Sequence, residues 1–92
     1  MTTHELKTHP EPFRDLVADL KTFEFRKNDR CFQVGDVLHL REYDPHTNQY
    51  SGREIFVNVI HILHSGYGMP DGFCIMSIRK IPNYGYRTVD AA

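Results

Sequence analysis

The change in hydrophobic period that decides the fold lies in the stretch FRDLVADLKTFEFR, residues 13–26. Its first half carries apolar residues at the spacing of one helix face: Phe13, Leu16, Val17 and Leu20. This spacing predicts an amphipathic helix over about residues 11–20, and the nearby prolines at positions 10 and 12 are compatible only with its first turn. Its second half alternates strictly between polar and apolar residues, which predicts a β-strand over residues 22–26.

This alternation divides the strand into two faces. Phe23 and Phe25 share one face, and Thr22, Glu24 and Arg26 share the other. We expect the two phenylalanines to point into the core because they are the apolar members of the strand. The polar face would then border a cleft, with the charged side chains available to a ligand.

Three further strands are predicted downstream, at residues 37–43, 53–63 and 73–79, separated by segments rich in turn residues. The strand at 53–63 is apolar on both faces in its second half, which is typical of a central, buried strand. Before the helix, His4–Lys7 shows little pattern and fits at most an edge strand. One helix followed by four strands favours an α+β, mostly β fold: a small curved sheet or barrel capped by a short N-terminal helix.

The totals are those of one small globular domain, residues 1–92, with a core at about 4–80 and a tail at 81–92 whose structure is not assigned. Hydrophobic residues make up 40% of the chain, which excludes the composition typical of disorder. The N-terminus has no apolar signal region, and no stretch reaches the length of a membrane span. We therefore expect a cytoplasmic protein without membrane association.

The net charge of −1 does not indicate a nucleic-acid-binding protein, but the local charge is uneven. Residues 21–30 contain four basic and two acidic residues, a local charge of +2. A second basic run near the C-terminus contains Arg79, Lys80 and Arg87, with Tyr84 and Tyr86 between them. Such clusters bind phosphates at one face, with tyrosines as stacking platforms, or are simply solvated, and the sequence leaves both interpretations open.

Neither the histidines nor the cysteines form a metal motif. His61 and His64 are three residues apart on a predicted strand, so their side chains point to opposite faces. Cys31 and Cys74 lie too far apart in sequence for a local ligand pair, and Cys74 lies in an apolar run typical of the core. The sequence predicts no metal and no cofactor.

The stretch from Lys21 to Arg26, which follows a short helix, resembles the ASCH-domain signature Gly-x-Lys-x-x-Glu-x-Arg of the PUA-like superfamily. An ordered set of segments is also similar to a bacterial and phage family of ASCH-like domains of unknown function. These segments are HELK (4–7), KTFE (21–24), RKNDR (26–30), VGD (34–36) and LREYDP (40–45). The resemblance covers about residues 4–80.

This resemblance implies a PUA-like β-barrel with the helix packed across it, a cleft at the motif residues and a role in RNA binding. The chain departs from the pattern at two positions. Asp19 stands where the signature has glycine. Glu24 stands where the members known as acetylcytidine amidohydrolases have a nucleophilic threonine, so their hydrolytic nucleophile is absent from this chain.

The residue types themselves support a site at Lys21, Glu24 and Arg26. The planar arginine fork suits a phosphate or carboxylate, lysine adds a point charge, and a carboxylate accepts hydrogen bonds from a base or hydroxyl edge. The competing interpretation is a structural ion pair between neighbouring surface residues. The predicted ligand-binding set is Lys21, Thr22, Glu24, Arg26 and Arg30.

Two functions follow from this set. The first is an RNA- or nucleotide-binding module that recognises phosphate and a polar base edge in a Lys/Glu/Arg cleft. The alternative is a small amidohydrolase acting on an acylated nucleoside or nucleobase, with Glu24 as general base and Lys21 stabilising the oxyanion. A third, an accessory protein that binds a host protein, comes only from the bacterial and phage distribution of the resembling family.

Overall fold

The computed structural model describes residues 1–81 and 86–87 of the chain. The strands and the helix follow in this order: β1 (Thr3–Thr8), α1 (Pro10–Val17), β2 (Phe23–Lys27), β3 (Val37–Asp44), β4 (Gln49–Leu63), β5 (Phe73–Lys80) and β6 (Tyr86–Arg87). The predicted helix and the four predicted strands are all present. The segment before the helix, which shows little pattern in the sequence, is a full strand.

The strands form one sheet in the order β1-β3-β4-β5-β2, and β6 pairs with β4. Strand β1 is parallel to β3, and the other pairs are antiparallel. The sheet curls into a half-barrel, so the prediction of a mostly β fold with one short helix is confirmed. Strands β1 and β2 come first and last in this order and are therefore its two edge strands.

The core fills the concave side of the curled sheet. It is formed mainly by alternate residues of β3, β4 and β5, together with Phe13 and Leu16 of α1. Cys74 is fully buried within it, and this burial raises the pKa of its thiol, as expected for a structural cysteine. Both Cys74 and Cys31 are free thiols.

Strand β4 is central, as predicted, but only one of its faces is buried. Val57 and Val59 are about 1% exposed, whereas Ile60 is 41% exposed. A β-bulge between Val59 and His61 shifts the register, so that Ile62 returns to the core. The prediction that both faces of its second half are buried is wrong, because the outer face is exposed at Ile60, and Ile62 contacts the core only because the bulge changes the alternation.

Helix α1 ends earlier than its apolar stripe predicts. Asp19 adopts the left-handed conformation with φ of 61°. The backbone N–H of Leu20 donates to the carbonyl of Asp15 at 2.9 Å, and that of Asp19 donates to the carbonyl of Leu16 at 3.3 Å. These two bonds form a Schellman motif with Asp19 in the position that usually holds glycine. Leu20 lies beyond this stop and is 79% exposed.

The two faces of β2 are the reverse of those predicted. Phe23 and Phe25 are 45% and 48% exposed, whereas Glu24 is 3% exposed. Glu24 is the register partner of Met76, a core residue of β5, and therefore points to the concave side of the sheet. Alternation shows which residues share a face. It does not show which face is inside when neighbouring cations are available to compensate a buried carboxylate.

Candidate functional site

The candidate site lies in the gap between the two edges of the sheet. Strand β1 forms one side of this gap, and β2 with the turn that follows it forms the other. We call this gap the seam. The Nη2 of Arg26 donates a hydrogen bond to the backbone carbonyl of Lys7 at 2.9 Å. The Nη1 of Arg30 donates to the carbonyl of Glu5 at 3.2 Å. Two arginines thus join the two edges by bonding alternate carbonyls of β1, in place of the backbone ladder that would close a full barrel.

The buried carboxylate of Glu24 is held between two cations. Its Oε2 accepts a hydrogen bond from Lys21 Nζ at 2.7 Å, and its Oε1 accepts one from Arg26 Nε at 2.8 Å. Lys21 Nζ also donates to the carbonyl of Phe23 at 2.6 Å. Charge-assisted bonds of this kind are the strong ones and fix both cations in place.

An open cavity of about 310 Å³ borders this cluster. It is lined by residues from β1, α1 and β2: Lys7, Thr8, His9, Pro12, Lys21, Glu24, Phe25 and Arg26. Three lysine or arginine residues and one carboxylate give the lining a formal charge of 3 − 1 = +2 with His9 neutral. The chain as a whole carries −1, so the cavity concentrates positive charge at one place.

Several N–H donors of the residues that line the cavity make no hydrogen bond within the described part of the chain. Arg26 uses Nε and Nη2 within the protein, with Nη2 also 3.4 Å from the Thr8 hydroxyl, and the described residues offer its Nη1 no hydrogen bond. Lys21 uses two of its three ammonium donors. The Nζ of Lys7 lies 4.4 Å from the centre of the Tyr43 ring, a cation–π contact that leaves its N–H groups free to bind an anion.

The structure brings three of the five predicted site residues together, namely Lys21, Glu24 and Arg26. Thr22 is exposed and borders a different cavity, about 300 Å³ in volume, while its carbonyl accepts a hydrogen bond from the N–H of Ile78 at 3.1 Å. Arg30 lies at the seam but lines neither cavity. Ligand binding by these residues stays a prediction.

Sequence reasoning missed Lys7 and Thr8, which β1 contributes to the cavity. They are distant from β2 in sequence, and only the curl of the sheet brings the two edges together. The sequence signal that could have indicated β1 as a strand is its alternation, since His4, Leu6 and Thr8 are buried and the residues between them are exposed.

Strand β1 is anchored at its start by a buried polar network around Asp36. The carboxylate accepts hydrogen bonds from the backbone N–H groups of Thr2 and Gln33 and pairs with His4 Nε2 at 2.9 Å. Burial alone raises the pKa of Asp36. The hydrogen bonds from His4, Thr2 and Gln33, with the charge of His4, outweigh burial and hold this pKa below 3.8. The network fixes the strand that carries Lys7 to the cavity.

The tyrosine cluster predicted near the C-terminus is not described in full. Tyr84 lies outside the described residues, and only the backbone of β6 is described for Tyr86 and Arg87. Within residues 1–81 and 86–87, no three His, Cys, Asp or Glu side chains are grouped for metal binding. None of the helices in that part of the chain is long and apolar enough to cross a membrane.

The comparisons with known proteins identify a family but no activity. No curated protein matches the chain. Residues 3–78, which include all of β1 to β4 and most of β5, match a family described as a domain of unknown function, DUF3850. The match covers more than half of the chain and includes the whole seam site, so the chain belongs to the DUF3850 family.

Proposed function

We propose that this protein is an RNA- or nucleotide-binding module that holds a phosphate group in the seam cavity. The observation that carries the proposal is the arrangement of Lys7, Lys21 and Arg26 around one open cavity with a formal charge of +2. Preorganised cations with unused N–H donors are the usual means of binding phosphate oxygens. A cavity of about 310 Å³ is at the lower end of the range for small-ligand sites.

Within this proposal, Glu24 is a positioning residue. Both of its oxygens already accept hydrogen bonds from Lys21 and Arg26. The carboxylate therefore aligns the two cations, and the base edge that the sequence assigned to it is recognised elsewhere. The same contacts favour binding over the alternative amidohydrolase, since a general base needs an oxygen within hydrogen-bond reach of its water and directed at it.

The ASCH-related, PUA-like assignment and a cytoplasmic location belong to this proposal. Support for the assignment comes from the ordered resemblance over about residues 4–80 and from the curled half-barrel with its short helix. The position of the Lys-x-x-Glu-x-Arg residues at an open seam agrees with the cleft that the resemblance implies. RNA is the ligand class proposed for such domains.

The test uses a matched pair of variants, Lys7→Gln and Arg41→Gln. Lys7 and Arg41 are register partners on β1 and β3, and each substitution removes one positive charge. Of the two residues, only Lys7 lines the cavity. Binding of a fluorescent single-stranded RNA and of nucleoside monophosphates is measured between about 50 and 200 mM salt. We expect Lys7→Gln to weaken binding several-fold and to reduce the salt slope by about one unit, and Arg41→Gln to change little.

Equal effects of the two variants would show that only the overall charge matters and would contradict the proposal. Absence of binding by the unaltered chain to any of these ligands would contradict it as well. Release of an acid from an acylated nucleoside, lost in Glu24→Gln, would support the amidohydrolase instead.

A further inference from the structure

The outer face of β2 and β5 carries three phenylalanines that the core does not use. Phe23 and Phe25 of β2 are 45% and 48% exposed, and Phe73 of β5 is half-buried beside them. We call these three residues the aromatic strip. Solvent-exposed large apolar side chains that occur singly need no explanation, but adjacent aromatic rings on one strand pair form a patch suited to binding.

The rings of the strip are ordered by neighbouring side chains. The Phe25 and Phe73 rings are stacked, with centroids 5.3 Å apart and an interplanar angle of 24°. Lys21 Nζ lies 4.7 Å from the centre of the Phe23 ring. Lys21 is thus shared between the strip and the seam cavity, and Phe25 also lines that cavity. The strip is continuous with the proposed phosphate site.

The charges around the strip are complementary to a polyanion. Lys27 lies on the same face of β2, two residues beyond Phe25, and Arg79 lies on the same face of β5, two residues beyond Ser77, the register partner of Phe23. Cations therefore lie at both ends. Asp29 and Asp71 occur in the loops at the Lys27 end, so the excess of positive charge is at the end near Lys21 and the cavity.

The spacing of the strip fits unstacked bases. Residues two apart on a strand are separated by about 6.8 Å, since each residue of an antiparallel strand advances about 3.4 Å. This is about twice the rise per nucleotide of a stacked strand. Bases on neighbouring rings would therefore be separated from one another, as they are in single strands bound by aromatic side chains.

We propose that the aromatic strip is a base-stacking site and that the ligand of this protein is a single-stranded nucleic acid with its phosphate in the seam cavity. This inference rests on the proposed function and adds the ligand class to it. A duplex does not satisfy the site because the faces of its bases are covered by their neighbours. The excess of positive charge at the Lys21 end of the strip, next to the cavity, favours a nucleic acid over an apolar protein surface, which has no need of it.

The chain contains no tryptophan, which makes Phe25→Trp a direct reporter. The comparison variant is Phe25→Leu, which keeps an apolar side chain but removes the ring, and Val34→Ala is the control at an exposed apolar residue of the turn before β3. Each folded variant is titrated with a single-stranded oligonucleotide and with a duplex of the same sequence. Its affinities for ribose 5-phosphate and for a nucleoside monophosphate are also measured and compared.

We expect the single strand to quench the tryptophan of Phe25→Trp and to bind it at least as tightly as the unaltered chain. Phe25→Leu should lose about tenfold in affinity, as removal of one stacking ring does, and Val34→Ala should lose none. The duplex should bind more weakly than the single strand, and ribose 5-phosphate more weakly than the nucleoside monophosphate.

Several results would overturn the inference. Unchanged fluorescence at saturation, unchanged affinity in Phe25→Leu, or equal binding of duplex and single strand would each exclude base stacking at the strip. Equal binding of ribose 5-phosphate and nucleoside monophosphate, still weakened by Lys7→Gln, would leave the phosphate site intact and remove only the stacking site. A dimer that dissociates in Phe25→Leu without any change in oligonucleotide binding would assign the strip to a second copy of the chain.

Discussion

Two buried glutamates of the half-barrel differ in how their charge is compensated. Glu24 of β2 and Glu42 of β3 are each 3% exposed. Glu42 is bound by one cation in fork-to-fork geometry, with Arg53 Nε at 2.8 Å from Oε1 and Nη2 at 2.9 Å from Oε2. The same guanidinium lies 5.8 Å from the centre of the Phe13 ring and so ties α1 to the sheet.

Glu24, in contrast, shares its two oxygens between two cations, Lys21 and Arg26. The split arrangement leaves donors of both cations unsaturated, and they border an open cavity. A bidentate pair satisfies its carboxylate with one side chain and stabilises packing. A carboxylate between two cations instead holds positive charge in a fixed position for something else to bind. Glu42 therefore stabilises the packing of the fold, whereas under the proposed function Glu24 positions Lys21 and Arg26 for a ligand.

The largest expected effect tests the Glu42 side of the comparison. Arg53→Met removes the cation that compensates Glu42 through both of its oxygens, and we expect the free energy of unfolding to fall by about 3 kcal/mol. Urea unfolding followed by circular dichroism measures this. The double variant Glu42→Leu with Arg53→Met should recover most of the loss, because no uncompensated carboxylate remains. A loss below about 1 kcal/mol would show that the folded protein tolerates a buried Glu42 without its partner Arg53.

A third buried carboxylate, Asp36, extends the comparison to pH. Its pKa in the folded protein lies below 3.8, so its contribution to stability is complete above that value and is lost as the pH falls through the lowered folded pKa. We expect Asp36→Asn to lower the free energy of unfolding by about 2 kcal/mol at neutral pH, since the hydrogen bonds to a charged acceptor are weakened.

Unfolding by urea at a series of pH values from neutral to strongly acidic checks this. Above pH 3.8 the difference between the unaltered chain and Asp36→Asn should be constant, and below it the difference should shrink. A difference that stays constant into strong acid would mean that the folded state does not hold the charge on Asp36.

A smaller loss of stability is expected when one of the two cations that bind Glu24 is removed. Lys21→Met leaves Arg26 bound to Glu24, so we expect a loss of only about 1 kcal/mol in unfolding free energy. The affinity for a single-stranded oligonucleotide should nevertheless fall about tenfold, as for the loss of one phosphate contact of about 1.4 kcal/mol. Arg53→Met should show the opposite pattern when binding is measured at a temperature where it remains folded. If both variants lose stability and affinity in the same proportion, the comparison fails.

The smallest effect concerns the turn that places Lys21. Asp19 occupies the left-handed position of the Schellman motif at a conformational cost, so Asp19→Gly should raise the free energy of unfolding by about 0.5–1 kcal/mol. Asp19 also pairs with Lys80 at 3.2 Å, but Asp19 is 70% exposed and the pair contributes little. Asp19→Asn removes the charge while tolerating the same backbone. If Asp19→Gly and Asp19→Asn were both less stable than the unaltered chain, the ion pair with Lys80 and not the backbone would control this turn.

Much of this fold was predictable because its signals are local. The spacing of Phe13 and Leu16 gave the helix, and alternation around the later turns gave β3, β4 and β5. The end of the helix at Asp19 was not predicted, because the apolar stripe continues to Leu20 and Asp19 stands where the signature has glycine. The mostly β fold follows from these elements with the short connections between them.

The remaining features depend on contacts between distant parts of the chain. Which face of β2 is buried depends on its pairing with β5, where Glu24 lies opposite Met76. No local sequence pattern specifies that pairing. The bulge at Val59 likewise changes the alternation of β4 without a glycine or proline to mark it. Of the site, the cluster of Lys21, Glu24 and Arg26 was predictable from its spacing, whereas the β1 contribution required the curl of the sheet.

The arginines at the seam have a consequence for aggregation. An exposed edge strand offers a row of unpaired carbonyl and N–H groups on which another chain can add a strand. Here Arg26 and Arg30 bond the outward carbonyls of Lys7 and Glu5, and each places a charged, non-peptide donor where a foreign strand would pair. Arg26, which lines the cavity, thus also protects the edge of the sheet, so its substitution would expose that edge to strand addition whether or not the cavity holds a ligand.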